Sequence, residues 1–339
     1  MLNIKEHVNL KPYNTFGIEA YCDYFVEVDS ISSFSELTKQ VVYQNNQKLI
    51  IGGGSNLLFT KDFNGIVIKN NFKGINIISE NSEEVLVNVA AGEVWHDFVM
   101  WSIDHNFSGL ENLSLIPGCV GASPMQNIGA YGVEIKETFE ELEACSVEDA
   151  SIKIFKKEAC GFGYRESVFK NKYRNLFLIS SVTFRLTKNG VLNTTYGAIN
   201  SELEAMGIDS PTIRDVSRAV INIRQSKLPD PRVSGNAGSF FKNPEIPFTQ
   251  YLKLKHQFKD LVAYPLNNGN YKLAAGWLIE QCGLKGYEHK GAAVHLKQAL
   301  VLINKNNSTG LDVYNLSSHV MKKVFDKFGV ILEREVNII

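Results

Sequence analysis

Cysteine is scarce in this chain, and the cysteines that are present follow no pattern. Among 339 residues there are five, and no two of them form a Cys-x-x-Cys pair. Disulfide frameworks and zinc sites both depend on regularly spaced cysteines, so the sequence predicts neither a disulfide scaffold nor a metal site. We expect reduced thiols, as in a cytoplasmic protein.

Long apolar runs and an excess of one charge are also missing. No uninterrupted apolar run reaches the roughly 18 residues of a membrane span, and the first ten residues lack the apolar core of a signal peptide. Lys and Arg number 35 against 36 Asp and Glu, so the formal net charge is -1. Nucleic-acid-binding domains normally carry a basic surplus. We therefore expect a cytoplasmic protein with neither nucleic acid nor membrane as a partner.

The chain does contain enough apolar material for a sizeable core. Hydrophobic residues make up 44% of it, and 339 residues suffice for two or three domains. Helical and strand patterns alternate too irregularly for a doubly wound sheet, so the predicted fold class is α+β.

Local patterns predict individual elements. A helix is expected over residues 34–45, and another starts at Ser210-Pro211, with the serine as cap and the proline at the first position. Residues 272–282 are predicted as a helix. A final helix runs from about Gly310 to Gly329, and residues 330–339 follow as a terminal strand.

The first candidate binding element is the turn Gly52–Asn56, which follows a short apolar strand at residues 48–51. It matches neither a Rossmann nor a Walker pattern. Its backbone N–H groups, the Ser55 hydroxyl and the Asn56 amide suit a pyrophosphate. A simple tight turn between strands is an equally good interpretation of this segment alone.

A second loop, Ile116–Gly132, is rich in glycine and contains two prolines but no charged residue. Such a segment is poor at forming helices or central strands. It suits contact with a flat, partly apolar cofactor and its phosphates. The alternative is a purely structural loop, although long loops of this kind are usually functional.

The segment Gly235–Pro244 places the hydroxyl of Ser239 between small residues and two aromatic rings, Phe240 and Phe241. In an extended segment Ser239 and Asn243 would share one face, and the two rings would point to opposite faces. Ser239 is either a proton donor or an ordinary turn serine.

Other polar residues have alternative interpretations of the same kind. Arg165 can point into a cleft or pair with the adjacent Glu166 at the surface, and Tyr196 can belong to a lid or be simply exposed. The carboxylate of Glu335, on the predicted terminal strand, can act as an acid or base or lie on a solvent-facing edge. Three lysines beside element boundaries can bind phosphate or remain solvated; they are Lys227, Lys272 and Lys285.

Taken together and in order, these segments resemble one bacterial family, the UDP-N-acetylenolpyruvoylglucosamine reductases (MurB), in its type I form. They extend from residue 14 to residue 336 and so cover nearly the whole chain. Each motif alone is weak, whereas their joint occurrence in order is specific. The matching segments are Asn14–Gly17, Gly52–Asn56, Gly109–Asn112, Ile116–Gly132, Gly163–Ser167, Gly235–Pro244, Lys272–Trp277, Gly291–His295 and Glu335–Val336.

The resemblance implies a fold in which two subdomains of the vanillyl-alcohol-oxidase type bind FAD and a further α+β domain binds the substrate. On this basis residues 1–70 and 71–207 are predicted as the FAD-binding subdomains, with residues 319–339 returning to the second. Residues 208–318 are predicted as the substrate-binding domain. We expect a monomer.

The resemblance also implies a reaction. NADPH reduces FAD, hydride passes from flavin N5 to C3 of the enolpyruvyl ether of a UDP sugar, and a proton reaches C2 to give UDP-N-acetylmuramate for peptidoglycan synthesis. Arg165 matches the family's catalytic arginine, which stabilises negative charge on the substrate. Ser239 matches the proton donor. Glu335 matches the catalytic glutamate, which orients the acid or assists proton delivery.

Binding roles follow from matched positions in the same way. The cofactor set implied by the family is Asn14, Gly52, Gly53, Gly54, Ser55, Asn56, Gly121, Ala122, Ser123, Ile128 and Gly129. The substrate set is Tyr164, Tyr196, Lys227, Asn243, Tyr264, Lys272 and Lys285, with Tyr196 in a loop that closes over the substrate.

One departure from the family pattern stands out, and two alternative functions remain. Arg334 occupies a position where a proline often precedes the catalytic glutamate, which should alter the geometry slightly and leave the carboxylate. A related flavin oxidase with another substrate would not need Lys227, Lys285 or the pair Ser239 and Glu335. A non-catalytic FAD- or nucleotide-binding module would have no use for the catalytic residues.

Overall fold

The computed structural model describes residues 2–339, which fold into two compact units. The first unit comprises the chain up to Val8, Cys22–Gly54 and Asn64–Ser226. The second unit comprises Asn9–Tyr21, Ser55–Phe63 and Lys227–Ile339. The three domains expected from the sequence stay a prediction. None of the helices in residues 2–339 is long and apolar enough to cross a membrane.

The helices are α1 Ile31–Thr38, α2 Val41–Asn45, α3 Trp95–Asp104, α4 Gly197–Ala205, α5 Ile213–Lys227, α6 Phe248–Gln257, α7 Ala275–Gln281 and α8 Gly310–Phe328. The strands are β1 Lys5–Asn9, β2 Tyr21–Val28, β3 Lys48–Ile51, β4 Leu57–Leu58, β5 Phe63–Asn70, β6 Ile75–Glu80, β7 Glu84–Ala90, β8 Gly129–Ala130, β9 Val133–Glu134, β10 Phe139–Ser146, β11 Ile152–Lys156, β12 Phe177–Thr187, β13 Gly235–Ser239, β14 Glu245–Ile246, β15 Ala263–Pro265, β16 Tyr271–Leu273, β17 Glu288–His289, β18 Ala292–Val294, β19 Val301–Asn304 and β20 Asn337–Ile338.

The first unit is built around two sheets. One has the strand order β1-β2-β5-β3, and the other is antiparallel throughout with the order β11-β10-β12-β7-β6. Val85, Val87 and Val89 of β7 alternate into the core, as expected for a half-buried strand. They belong to one apolar cluster with Trp95 and Phe98 of α3, so this helix covers the antiparallel sheet.

The glycine turn emerges from a parallel strand pair in the first unit. β3 pairs in parallel with β5, and Gly52 follows the last residue of β3 directly. Ligands of α/β sheets commonly bind beyond the carboxyl ends of such strands. The next element after the turn is the short strand β4 rather than a helix, which agrees with the exclusion of a Rossmann unit.

The second unit contains an antiparallel sheet with the order β13-β19-β18-β17 and a smaller one with the order β14-β16-β15. Helix α8 lies against β18 and β19. It begins with a capping box between Thr309 and Asp312 and ends at Gly329, whose φ is +62°. The predicted bounds of this helix are confirmed.

The predicted start of helix α5 at Ser210 is wrong by two residues. Thr212 and Asp215 cap this helix reciprocally: the Thr212 N–H donates to the Asp215 carboxylate (2.9 Å), and the Asp215 N–H donates to the Thr212 hydroxyl (3.3 Å). This pair satisfies two N–H groups at the helix end, whereas a cap at Ser210 would have Ile213 three residues later, which has no side-chain acceptor to return the bond.

The helix predicted over residues 272–282 is wrong at its beginning. Lys272 lies in β16, where it pairs with Tyr264 of β15. Helix α7 starts only at Ala275, because the Asn243 side-chain oxygen accepts the Ala275 N–H at 2.9 Å and so caps this end.

Two further predicted elements are interrupted. Residues 34–45 form parts of two helices, since Gln40 between them is extended (φ −76°, ψ 137°). Of residues 330–339, only β20 is a strand, paired in parallel with β4, and Arg334 forms an isolated bridge with Phe241.

Candidate active site

The two glycine-containing loops of the first unit pack backbone against backbone. A Cβ atom on Gly53 would lie 3.2 Å from the Cα of Gly118, and one on Gly121 would lie 2.5 Å from the Cβ of Ala91. The Gly53 N–H also hydrogen-bonds the Cys119 thiol, whose pKa is raised by burial. A side chain at Gly53 would push the two loops apart, and one at Gly121 would clash with Ala91, the residue after β7, so the local geometry requires glycine at both positions.

A cavity of about 130 Å³ lies beside these loops within the first unit. Gly52, Gly121 and Ala122 line one part of it, and the apolar side chains of Ile50 and Phe177 line another. Gly52 and Gly121 have no side chains and so line the cavity with backbone, and a Cβ on Gly52 would come within 3.2 Å of the Cys119 Cβ. A wall of backbone amides beside an apolar wall fits a cofactor that carries both phosphates and a flat ring.

Two residues of the predicted cofactor set hold their own loops with their side chains. The Ser123 hydroxyl is buried and donates to the Val120 carbonyl at 2.7 Å. Asn14, in the second unit, donates to the carbonyls of Leu10 and Ile18 and accepts the Ile18 N–H. A contact of either residue with a cofactor stays a prediction.

Arg165 lies at the tip of a tight turn in the first unit. The backbones of Gly163 and Glu166 exchange two hydrogen bonds across this turn (3.1 and 3.3 Å), and Arg165 itself has a φ of 53°. A left-handed arginine is strained, and such strain often accompanies a functional position. The guanidinium donates to the Gly129 carbonyl at 2.7 Å and lies 5.5 Å from the Tyr164 ring, so the candidate catalytic cation is held by the second loop.

Sequence reasoning missed Arg224, which lies near Arg165 in the first unit. Arg224 hydrogen-bonds the Tyr131 hydroxyl and donates to the Leu115 carbonyl at 3.2 Å. Burial lowers the pKa of Arg224, and the positive charge of Arg165 lowers it further. The Tyr131 ring in turn meets the Tyr196 ring edge-on at 5.3 Å. These two guanidinium groups suit an anionic ligand.

A signal for Arg224 was present in the sequence. Val216 and Val220 of α5 are buried, and Arg224 continues their spacing of four residues. A charged side chain on the apolar face of a helix is unusual and marks a candidate functional residue.

In the second unit, a bulge presents Ser239. β13 pairs with β19, but its register shifts between Asn236 and Ser239, where Gly238 has a φ of 69°. The buried Asn236 side chain fixes this bulge by donating to the carbonyls of Pro229 and Ser234 and accepting the Gly238 N–H. Ser239 is exposed, as expected where a bulge redirects a side chain.

The two phenylalanines after Ser239 do not point to opposite faces. The Phe240 and Phe241 rings lie 5.3 Å apart and both are buried, because the regular strand ends at Ser239. Phe240 also meets Phe16 edge-on at 6.1 Å. The rings therefore act as packing beneath this segment.

The segment around Glu335 runs beside the one that carries Ser239. The Glu335 N–H donates to the Phe240 carbonyl and the Lys242 N–H to the Glu333 carbonyl, at 2.8 and 2.9 Å. The Asn56 amide donates to the Glu335 carbonyl at 3.3 Å. Two of the three predicted catalytic residues, Ser239 and Glu335, thus lie on neighbouring stretches of backbone within one unit.

The predicted substrate residues of the second unit are spread over several elements. Tyr264 and Lys272 are opposite each other on β15 and β16, and Asn243 caps α7. Lys285 forms an ion pair with Glu280 at 2.9 Å, and Lys227 ends α5. An anionic ligand would have to compete with Glu280 for the Lys285 ammonium group.

Comparison with known proteins defines the class of this chain. Residues 22–153 match a family model described as FAD binding domain, and residues 230–339 match one described as UDP-N-acetylenolpyruvoylglucosamine reductase, C-terminal domain. With the glycine loops and cavity of the first unit, these matches define an FAD-dependent oxidoreductase.

Full-length relatives identify the family. The chain is 49% identical over 339 residues to the UDP-N-acetylenolpyruvoylglucosamine reductase of Flavobacterium johnsoniae, with both chains covered completely. It is 47% identical over 337 residues to that of Pseudomonas aeruginosa, covering 99% of each. The chain therefore belongs to the UDP-N-acetylenolpyruvoylglucosamine reductase family, and the predicted family, enzyme class and FAD cofactor are confirmed.

A solved structure supports the fold. The crystal structure of the corresponding reductase from Thermus caldophilus matches with a TM-score of 0.70 at 20% identity, over 100% of this chain and 99% of that one. At this identity the likeness concerns the fold alone, and it confirms the predicted α+β fold class.

Proposed function

We propose that this chain catalyses the NADPH-dependent reduction of enolpyruvyl-UDP-N-acetylglucosamine to UDP-N-acetylmuramate, a step of peptidoglycan precursor synthesis. The observation that carries the proposal is the exposed Ser239 on its bulge, next to the Phe240 carbonyl that anchors Glu335. We propose that the enzyme works as a cytoplasmic monomer.

The first unit supplies the cofactor site and a cation. When bound, FAD supplies the hydride, which it receives from NADPH. Addition of hydride to the enolpyruvyl group leaves negative charge that spreads onto its carboxylate. Arg165 is positioned by the Gly129 carbonyl and stabilises this charge, and Arg224 adds to the positive potential.

The second unit supplies the proton. A serine hydroxyl is a weak acid, and it donates readily only to a strong base such as a carboxylate-stabilised enolate. Within residues 2–339 the Ser239 hydroxyl has no hydrogen-bond partner, so it is available to a substrate. We assign the C2 proton to Ser239, and Glu335 orients the donor or restores its proton.

The remaining substrate residues bind and orient the UDP sugar. Lys227, Lys272 and Lys285 supply point charges for a diphosphate. Tyr264, which is 53% exposed, offers a ring to the uracil side. Tyr164, Tyr196 and Asn243 complete this proposed set, with the Asn243 amide nitrogen as the donor because its oxygen caps α7.

The visible spectrum of the purified protein tests the proposal. We expect a yellow protein that is bleached by NADPH under anaerobic conditions and recovers its colour on addition of the enolpyruvyl sugar. Absence of flavin would overturn the proposal. If the yellow colour returned on addition of oxygen but not on addition of the sugar, the result would favour a related flavin oxidase instead.

A further inference from the structure

The residue before Glu335 is attached to a helix by its side chain. The Arg334 Nε donates to the Ser317 hydroxyl at 2.8 Å and its Nη2 donates to the Ser318 hydroxyl at 2.7 Å. Its guanidinium carbon lies 4.4 Å from the centre of the Tyr314 ring, within cation–π range. All three partners lie on α8, within about one turn of that helix.

The two acceptors of this clamp are themselves fixed. The Ser317 hydroxyl donates to the Tyr314 carbonyl at 2.6 Å, and the Ser318 hydroxyl donates to the same carbonyl at 3.1 Å. Each oxygen is therefore oriented to accept from Arg334. The planar guanidinium matches two acceptors held in this way, which an ammonium group could not do equally well.

Charge compensation does not account for Arg334. None of the carboxylates in residues 2–339 forms an ion pair with it, and its partners are two hydroxyls and an aromatic ring. The contacts of Arg334 therefore restrict geometry, since they fix the position and orientation of one short stretch of backbone.

That stretch carries Glu335. On the other side of it, the Glu335 N–H is held by the Phe240 carbonyl and the Glu335 carbonyl by Asn56. Residues 331–336 belong to no regular helix or strand apart from the bridge between Arg334 and Phe241. A segment with so few ladder hydrogen bonds depends on side-chain contacts for its rigidity.

We propose that Arg334 is a positioning residue, which clamps the backbone to α8 so that the Glu335 carboxylate is held where the proton transfer requires it. This inference rests on the proposed function. Because small displacements of a catalytic group can slow a reaction by up to about 100-fold, loss of the clamp should be visible in one chemical step.

Separate measurement of the two half-reactions tests the clamp. In Arg334→Gln we expect NADPH to reduce the flavin at the wild-type rate, while oxidation of the reduced enzyme by the enolpyruvyl sugar slows about 10- to 100-fold. The dependence of that second step on pH should also change, since the environment of Glu335 changes. Arg334→Lys keeps the positive charge but loses the planar guanidinium that reaches both serines, so it should recover only part of the rate of the second step.

Matched variants separate positioning from general stability. Replacing both serines (Ser317→Ala with Ser318→Ala) leaves Arg334 and Glu335 in place and should reproduce the slow second step; Ser318→Ala alone is the milder version if the double variant folds poorly. Lys322→Gln removes an exposed cation from the same helix and should behave as wild type.

Several results would overturn the inference. A wild-type rate of the second step in Arg334→Gln would do so, and so would an equal slowing of both half-reactions together with a lowered melting temperature, which indicates a merely structural role. A wild-type protein that does not reduce the sugar at all would instead refute the proposed function, so the two failures are distinguishable.

Discussion

Replacing Ser239 with alanine removes one exposed hydroxyl and should stop the reaction cycle halfway. The side chain has no hydrogen-bond partner within residues 2–339 and lies at the end of β13, so the fold should tolerate the change to within about 0.5 kcal/mol. The reduction of flavin by NADPH involves no proton from Ser239 and should keep its rate.

The second half-reaction should lose the contribution of a general acid. Such groups contribute about 10²- to 10⁴-fold, which corresponds to about 3–5 kcal/mol of activation free energy. Stopped-flow absorbance of the flavin follows both half-reactions in one instrument, with the reduced enzyme mixed with the enolpyruvyl sugar. Ser82→Ala, an exposed serine of the first unit, serves as the control.

Two outcomes would refute this reasoning. If reduced Ser239→Ala is reoxidised by the sugar as fast as wild type, Ser239 does not donate the proton. If the NADPH half-reaction slows to the same extent as the sugar half-reaction, the hydroxyl has no dedicated role in protonation.

Three further predictions concern the cofactor loop, the bulge and the effect of pH. Gly121→Ala should yield protein with little bound flavin in its absorbance spectrum, because the new Cβ would lie 2.5 Å from a neighbouring Cβ, whereas Gly197→Ala meets no atom within 4 Å and should stay yellow. Asn236→Ala leaves partly buried backbone groups unpaired and should lower the free energy of unfolding in urea by about 1–3 kcal/mol. Burial raises the pKa of Tyr43 from 10.0 to about 12. Because the folded state keeps this proton, the stabilisation is complete below pH 10 and disappears as the pH rises towards 12, and Tyr43→Phe should flatten that decline.

Each of these expectations has a clear opposite. Full flavin content in Gly121→Ala would show that the second loop can move away from Ala91 at no cost. An unchanged urea midpoint in Asn236→Ala would mean that the bulge does not need its amide. Parallel curves of stability against pH for Tyr43→Phe and wild type would show that Tyr43 does not retain its proton on folding.

Local chemistry was predictable where the residues themselves impose the geometry. Gly53 and Gly121 are needed because their backbone lies close to Gly118 and Ala91, and Gly52 because the Cys119 side chain leaves little room for a Cβ. Each need can be predicted from the sequence, because the residue present is glycine. Helix α8 was bounded correctly because Thr309, Asp312 and Gly329 form standard caps.

Features that depend on distant partners were not predictable. The second unit includes Asn9–Tyr21 and Ser55–Phe63, whose own sequences give no hint of a partner beyond Lys227. The apolar run after Lys272 predicts a helix that includes this residue, but Lys272 forms part of a strand because it pairs with Tyr264 on the neighbouring strand. The bonding of Arg224 to Tyr131 likewise brings together loop and helix residues far apart in the chain.

The pairing of β20 with β4 has a consequence for protein synthesis. Thr60 hydrogen-bonds the carbonyl of Ile339, 279 residues later, and Asn56 accepts the Asn337 N–H. At about 5–20 residues per second, the ribosome delivers the later partner roughly 15–55 s after the earlier one. The Asn56 end of the glycine turn therefore reaches its final hydrogen bonding only after residues 337–339 have been synthesised. A ribosome-bound chain stalled before residue 337 should accordingly capture flavin less well than the released enzyme.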